Sequence, residues 1–138
     1  MPSGIDLIAA DHQLVNELFD EFDAKQDGAT VGLIIAALKV HDEAEQAALY
    51  PFAGSVLDDA GLIQRSAAAH SLVKKQIDIM LMLEGAPLID ACRTLRQLVT
   101  EHVEDEESNL LPALADAATP PQLEALGARI LQAKQRVG

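Results

Sequence analysis

One short motif occurs twice in this chain, once in each half. The motif is His-x-x-x-Glu, with a proline ten residues after its histidine and another histidine about thirty residues before it. The first copy comprises His12, His41, Glu45 and Pro51, and the second comprises His70, His102, Glu106 and Pro112. Since residues four apart lie on one face of a helix, the histidine and glutamate of each motif can contact the same metal ion. The duplication, which uses all four histidines, predicts a two-metal site inside a helical bundle.

The composition favours an all-helical protein with one core. Apolar residues make up 49% of the sequence but aromatic residues only 3%, so the apolar content is mainly Ala, Leu, Ile and Val. A chain of 138 residues has the size of one domain and can bury most of its apolar surface. We therefore predict a single all-α domain over residues 1–138.

Glycines and prolines divide the chain into five predicted helices. Their approximate bounds are 5–25, 30–50, 59–84, 85–109 and 120–136. Thr30 is the predicted N-cap of the second helix, Pro51 is expected to end that helix by Tyr50, and Pro112 to end or kink the fourth. Four long helices with short connections indicate an up-down-up-down four-helix bundle over about 5–115. An additional C-terminal helix is expected to pack outside it through Leu123, Leu126, Ile130 and Leu131.

Each of the first four predicted helices carries one histidine on its apolar face, near its middle. A buried histidine or glutamate costs free energy unless it is hydrogen-bonded, paired or bound to a metal. A single core histidine commonly donates to a backbone carbonyl. Four histidines and two glutamates at one depth of a bundle are instead satisfied together by a dinuclear metal site.

The donor set narrows the choice of metal. Imidazole and carboxylate without thiolate suit iron, manganese, cobalt or zinc, whereas copper(I), calcium and magnesium are disfavoured. Glu45 and Glu106 can each bridge two ions, with one oxygen on each. Iron is the leading candidate, and a zinc-filled or purely structural bundle is the weaker alternative.

Charge and cysteine content limit the expected partners and location. The net charge of −12 disfavours nucleic acid and anionic membrane surfaces, which leaves small molecules and metal ions. The single cysteine, Cys92, cannot form an internal disulfide. The sequence shows neither a leader segment nor an apolar run long enough to span a membrane. We therefore expect a cytoplasmic protein.

The order and spacing of these residues resemble the hemerythrin family, in its HHE cation-binding branch. The resemblance covers about residues 5–115, from the lone His12 to the Leu-Leu-Pro sequence that ends at Pro112. It implies a non-haem di-iron centre, with an oxo or hydroxo bridge, in a four-helix bundle. In that arrangement Glu45 and Glu106 are the bridging carboxylates and the histidines are terminal ligands. The expected small ligands are O2, hydrogen peroxide and nitric oxide.

The chain departs from the family pattern on the third helix. Oxygen-carrying hemerythrins have five histidines, two of them there as His-x-x-x-His, whereas here Ser66 and Lys74 stand four residues either side of His70. Water, Asp42, Glu43 or Tyr50 could fill the missing position.

Tyr50 is the most informative of these candidates, because the repeat aligns it with Leu111 and the two halves of the site differ there. On an ideal helix it lies about 140° from Glu45, but Pro51 could turn it inward. We include Tyr50 among the candidate metal ligands.

Acidic residues beside the ligands are expected to lie mainly on the surface. Asp11 could hydrogen-bond a ligand histidine, as metal sites commonly require. Of the acidic run at residues 104–107, only Glu106 is expected to point inward.

Two classes of function follow from the resemblance. The first is an enzyme that turns over hydrogen peroxide in a catalase-like or peroxidase-like cycle, using an open coordination position. The second is a module that reversibly binds or senses O2, nitric oxide or iron without turnover. The missing fifth histidine favours peroxide or nitric oxide chemistry over O2 transport, because an open position promotes autoxidation.

Overall fold

The computed structural model describes residues 2–137, which fold as an all-α bundle. Its α-helices are α1 (Gly4–Lys25), α2 (Gly28–Ala44), α3 (Tyr50–Val56), α4 (Ala60–Met80), α5 (Gly85–Asp105), α6 (Leu111–Ala117) and α7 (Pro120–Val137). Two π-helices, π1 (Glu45–Leu49) and π2 (Glu106–Leu110), join α2 to α3 and α5 to α6. The bundle therefore consists of α1, α2-π1-α3, α4 and α5-π2-α6. This architecture, with α7 added at the C-terminus, confirms the predicted fold. None of the described helices is both long enough and apolar enough to cross a membrane.

Aspartate and serine side chains set the starts of three helices. Ser3 Oγ accepts the Asp6 N–H at the start of α1, and Asp59 accepts the Leu62 N–H at the start of α4. Such caps satisfy backbone donors that have no partner within the helix. The predicted cap at Thr30 is wrong, because Asp27 accepts the Thr30 N–H and α2 begins two residues earlier, at Gly28.

The prolines do not end the second and fourth helices, contrary to the expected stop at Tyr50. In π1 the N–H of Tyr50 bonds the carbonyl of Glu45, five residues back, and in π2 the N–H of Leu111 bonds that of Glu106. Each proline follows such a turn as the second residue of α3 or α6. We attribute the continuation of each helix to its i→i+5 hydrogen bonds. They lie directly before a proline, which has no backbone N–H to donate.

The apolar core has two parts. One part lies towards the end of the bundle that contains α3, α6 and α7, and includes Ile8, Leu49, Phe52, Leu110 and Leu114. The other lies towards the opposite end and includes Phe19, Phe22, Ile34, Leu95 and Val99. Because His12 falls between Ile8 and Val15 on α1, the histidine layer lies where the two parts of the core meet. Apolar packing on both sides therefore holds the polar layer in place.

The C-terminal helix α7 packs against α1 and α2. Leu126, Ile130 and Ala133 are fully buried there, whereas Leu131, expected on the packed face, is 40% exposed. Gly127 lies against the start of the chain: a Cβ at this position would come within 2.5 Å of the Pro2 carbonyl oxygen. The close approach of α7 to the N-terminus therefore requires glycine at position 127.

Replacing Gly127 with alanine is expected to destabilise the protein by about 1–3 kcal/mol, because the methyl group must displace backbone rather than a flexible side chain. Gly32→Ala in α2 is the matched control, since a Cβ there meets nothing within 4 Å. That control is expected to stabilise the protein by about 0.4–1 kcal/mol. Urea unfolding of both variants measures the difference, and equal effects would mean that Gly127 is not needed for docking.

Candidate metal centre

Six polar side chains that were predicted as metal ligands meet in the middle of the bundle. His12 comes from α1, His41 from α2, His70 from α4 and His102 from α5, each at most 8% exposed. Glu45 and Glu106 are the first residues of π1 and π2 and are fully buried. Each glutamate lies one helical turn after a histidine, so the repeated motif presents both side chains to the same point.

Glu45 lies among three imidazoles. Its Oε1 is 3.1 Å from His41 Nε2 and 2.5 Å from His70 Nε2. The same oxygen is 3.4 Å from His102 Nε2. Each of these histidines therefore presents its Nε2 atom, and not Nδ1, to the centre.

Glu106 joins the remaining histidine to the same cluster. Its Oε1 is 3.2 Å from His12 Nε2, and its Oε2 is 3.2 Å from His102 Nε2. Two sets of four residues result, in each of which one donor atom per residue lies within 4.8 Å of all the others: His12, His41, Glu45 and Glu106, and Glu45, His70, His102 and Glu106. Both sets contain both glutamates, so the arrangement can hold two cations that share two carboxylates.

Several buried donor and acceptor atoms of the cluster have no hydrogen-bond partner among the described residues. Four of them are His12 Nε2, His41 Nε2, Glu45 Oε2 and Glu106 Oε1, since the 3.1–3.2 Å contacts described above do not have hydrogen-bond geometry. A buried polar group without a partner costs about 1–3 kcal/mol. All four atoms are lone-pair donors of the kind that iron, manganese and zinc accept. The residues therefore fit a pair of cations, which would satisfy them.

The π-helix also explains the position of Tyr50. Its i→i+5 turn carries Tyr50 to the same side as Glu45, whereas an ideal α-helix would direct it away. The phenol donates to Glu106 Oε2 at 2.7 Å and approaches Glu45 Oε1 at 3.3 Å. Burial, followed by the charges of the two glutamates, raises the pKa of Tyr50 far above its ordinary value, so the group is a neutral hydrogen-bond donor in the metal-free protein. Ligation of a metal by Tyr50 stays a prediction.

Carboxylates on neighbouring helices hydrogen-bond three of the histidines at Nδ1, the ring nitrogen that points away from the centre. The Nδ1 of His41 bonds Asp11 at 2.8 Å, and that of His70 bonds Asp42 at 2.6 Å. Such bonds fix the ring orientation so that Nε2 faces the centre. The sequence suggested that Asp11 could hydrogen-bond a ligand histidine, and its bond to His41 confirms this. Asp42, considered as a substitute ligand, binds the outer nitrogen of a histidine instead.

The third outer carboxylate was missed by sequence reasoning. Glu107 is exposed, as expected, but its Oε2 also bonds His12 Nδ1 at 2.8 Å. All three acids stand directly beside a candidate ligand in the sequence and reach the histidine of an adjacent helix. On α4 the neighbours of His70 are Ala69 and Ser71, neither of which is acidic. His102 Nδ1 accordingly has no hydrogen-bond partner within residues 2–137.

Electrostatics favour protonation of His41 and His102 in the absence of a cation. Burial lowers the pKa of His41, but Glu45 and Asp11 outweigh it and raise the value to about 10. Burial also lowers the pKa of His102, but the two glutamates outweigh this effect and raise the value to about 9. Because ligation requires neutral imidazole, a cation must compete with these protons.

A salt bridge connects α7 to the cluster. Lys134 Nζ contacts Asp11, whose other oxygen bonds His41. Burial raises the pKa of Asp11, but the hydrogen bonds from His41 and Lys134 outweigh it and leave the pKa below its usual value. The Asp11 carboxylate is therefore held ionised where it orients His41.

A cavity of about 290 Å³ opens beside the histidines. The four imidazoles form one part of its wall, and the rest is mainly apolar. Lys74, one of the two positions on the third helix where an additional histidine could stand, lines the cavity and is exposed. Ser66, the other position, is fully buried and does not line it. One of the two possible positions of a fifth imidazole therefore borders an accessible cavity.

Comparison with known proteins identifies similar sequences. Residues 3–114 match the family model described as the Hemerythrin HHE cation binding domain. A curated relative, a DNA nickase from Nostoc sp. PCC 7120, is 31% identical over an alignment 138 positions long that covers 96% of this chain and 39% of that protein. This chain thus spans about two-fifths of the length of that relative.

A solved structure shares the fold. The crystal structure of a hemerythrin HHE cation binding domain-containing protein from Mycobacterium kansasii superimposes with a TM-score of 0.81. The superposition covers 99% of this chain and 90% of that one, at 19% sequence identity. At this identity the similarity establishes the fold alone.

Proposed function

The chain belongs to the hemerythrin HHE cation-binding domain family, and from this premise we propose that it is a non-haem di-iron protein that reacts with hydrogen peroxide or nitric oxide. His12 and His41 would hold one ion, and His70 and His102 the other. Glu45 and Glu106 would bridge the two. When bound, a pair of irons supplies reversible one- and two-electron redox chemistry, which none of the side chains of the cluster provides.

One observation carries the choice of peroxide or nitric oxide over O2 transport. Each set of four candidate ligands contains only two histidines, and the cluster opens on a cavity that is lined by Lys74, one of the two positions where an oxygen carrier could have its fifth histidine. Metal catalysis requires an open coordination position of this kind. Reversible O2 binding or sensing without turnover is the alternative function.

The residues around the cluster have separable roles in this proposal. Asp11, Asp42 and Glu107 orient three of the imidazoles through their Nδ1 atoms. The apolar side chains that line the cavity exclude bulk water from the reacting molecule. Tyr50 keeps a proton on its hydroxyl oxygen, 2.7 Å from Glu106 Oε2, and would act through the bridging carboxylate.

The oxygen electrode tests the proposal. Iron-loaded protein is expected to convert two molecules of hydrogen peroxide into two of water and one of O2, at a rate far above that of the same concentration of free iron. The same protein loaded with zinc is the control and is expected to be inactive. Iron-loaded protein that neither evolves O2 nor reacts with nitric oxide, but binds O2 reversibly, would favour the alternative.

Replacing Tyr50 with phenylalanine is expected to leave the iron bound and the visible spectrum unchanged, and to slow peroxide decomposition by roughly tenfold or more. The variant removes a hydrogen bond to a charged group, which is worth about 1.5–3 kcal/mol. Loss of a visible absorption band in the variant would contradict this role and show a phenolate bound to iron.

We do not assign DNA cleavage to this chain. The nickase activity named for the Nostoc relative belongs to a much longer protein, of which this chain covers 39%. The net charge of −12 opposes approach to a phosphate backbone. We further propose that residues 1–138 form one domain and that the protein acts in the cytoplasm.

A further inference from the structure

The cavity beside the metal centre is larger than a diatomic gas or hydrogen peroxide requires. Its volume is about 290 Å³. A water molecule has a share of about 30 Å³ in the liquid, and an apolar cavity of about 150 Å³ can hold benzene. The space therefore suits an organic molecule of about ten non-hydrogen atoms.

The walls of this cavity define the chemistry of its occupant. Its apolar lining comes from all of the long helices of the bundle: Val15, Leu38, Val73, Ile77, Val99 and Val103. The four imidazoles also line the cavity, and His102 Nδ1 is the one of their outer nitrogens that has no hydrogen-bond partner within residues 2–137. Two lysines and two aspartates also line it, Lys39, Lys74, Asp42 and Asp78, so their formal charges cancel. A molecule with an apolar body, one small polar group and no net charge therefore matches these walls.

We propose that the cavity binds a small, uncharged organic molecule with an alkyl or aryl body and one hydroxyl-type oxygen directed at His102, whose Nδ1 atom has no hydrogen-bond partner within residues 2–137. This inference rests on the proposed function, because the organic molecule would bind beside the same metal centre. It adds the chemical class of organic ligand that the centre accepts. Ordered apolar pockets with a few convergent polar groups are the usual form of small-molecule sites.

Isothermal titration calorimetry with 2-phenyl-2-propanol tests the proposal on the full chain, loaded with metal and with its metal content measured. The wild-type protein is expected to bind with a Kd below about 1 mM. Val73→Phe is expected to weaken binding at least tenfold, because the larger side chain fills the cavity. Leu72→Phe is the matched control: it neighbours Val73 on α4 but is 53% exposed, and binding is expected to be unchanged.

Val99→Phe fills the same cavity from α5 and provides a second test should Val73→Phe not fold. Binding that survives both filling variants would overturn the proposal, because the probe would then lie elsewhere. Absence of binding by wild-type protein that decomposes peroxide would also overturn it, while leaving the proposed function intact. Cavity-dependent binding by protein that is inert towards peroxide and nitric oxide would support the cavity assignment and count against the proposed function alone.

Discussion

Replacing Glu106 with alanine is expected to reduce the metal content from about two ions per chain to less than one. Glu106 is common to both sets of four candidate ligands and is fully buried. Its loss removes an oxygen donor from each ion and leaves His12 Nε2 without its nearest carboxylate, at 3.2 Å in the native protein. Even residues that only support a ligand change metal affinity by about 10–100-fold, so a bridging ligand should matter more.

Glu104→Ala is the matched control for this variant, because Glu104 is an exposed acid on the same helix and belongs to neither set. Plasma mass spectrometry after desalting measures the ions retained, and circular dichroism shows whether the bundle is intact. The control should retain the wild-type content. Retention of two ions by the Glu106 variant would show that the ligands have been assigned wrongly.

The metal-free protein is expected to lose stability as the pH rises from about 6.5 to about 10. The folded-state pKa is about 10 for His41 and about 9 for His102, against an ordinary value of 6.5. Burial opposes both increases, and the neighbouring carboxylates cause them. A group with a raised pKa stabilises the folded state fully below its unfolded value, and this contribution disappears as the pH rises through the folded value. Thermal unfolding of chelator-treated protein across this range measures the decline.

The affinity for metal should show the opposite dependence on pH. Ligation needs neutral imidazole, so raising the pH removes the competing protons and strengthens metal binding. The difference in Tm between loaded and metal-free protein should therefore widen between pH 6.5 and 10. A parallel decline of both forms would mean that the histidines do not exchange protons for metal.

Local periodicity was sufficient to predict much of this protein. Residues four apart share a helical face, so His41 and Glu45 could be placed together without knowledge of the tertiary structure. The same rule placed His12 between Ile8 and Val15 on the buried face of the first helix. The long helices and short connections then led to the bundle.

The features that sequence reasoning missed depend on backbone register and on contacts between helices. Proline normally stops a helix, but π1 and π2 carry the chain through Pro51 and Pro112 into α3 and α6. The same change of register brings Tyr50 to the glutamates. The sequence suggested an inward Tyr50 but attributed it to a turn at Pro51. Glu107 has the local sequence of a surface acid, and only the approach of α1 gives it His12 as a partner.

The iron content of aerobically purified protein, measured by plasma mass spectrometry, tests the central claim most directly. Two sets of candidate ligands that share Glu45 and Glu106 predict close to two irons per chain. One iron per chain, or zinc or no metal in an intact bundle, would contradict a di-iron centre.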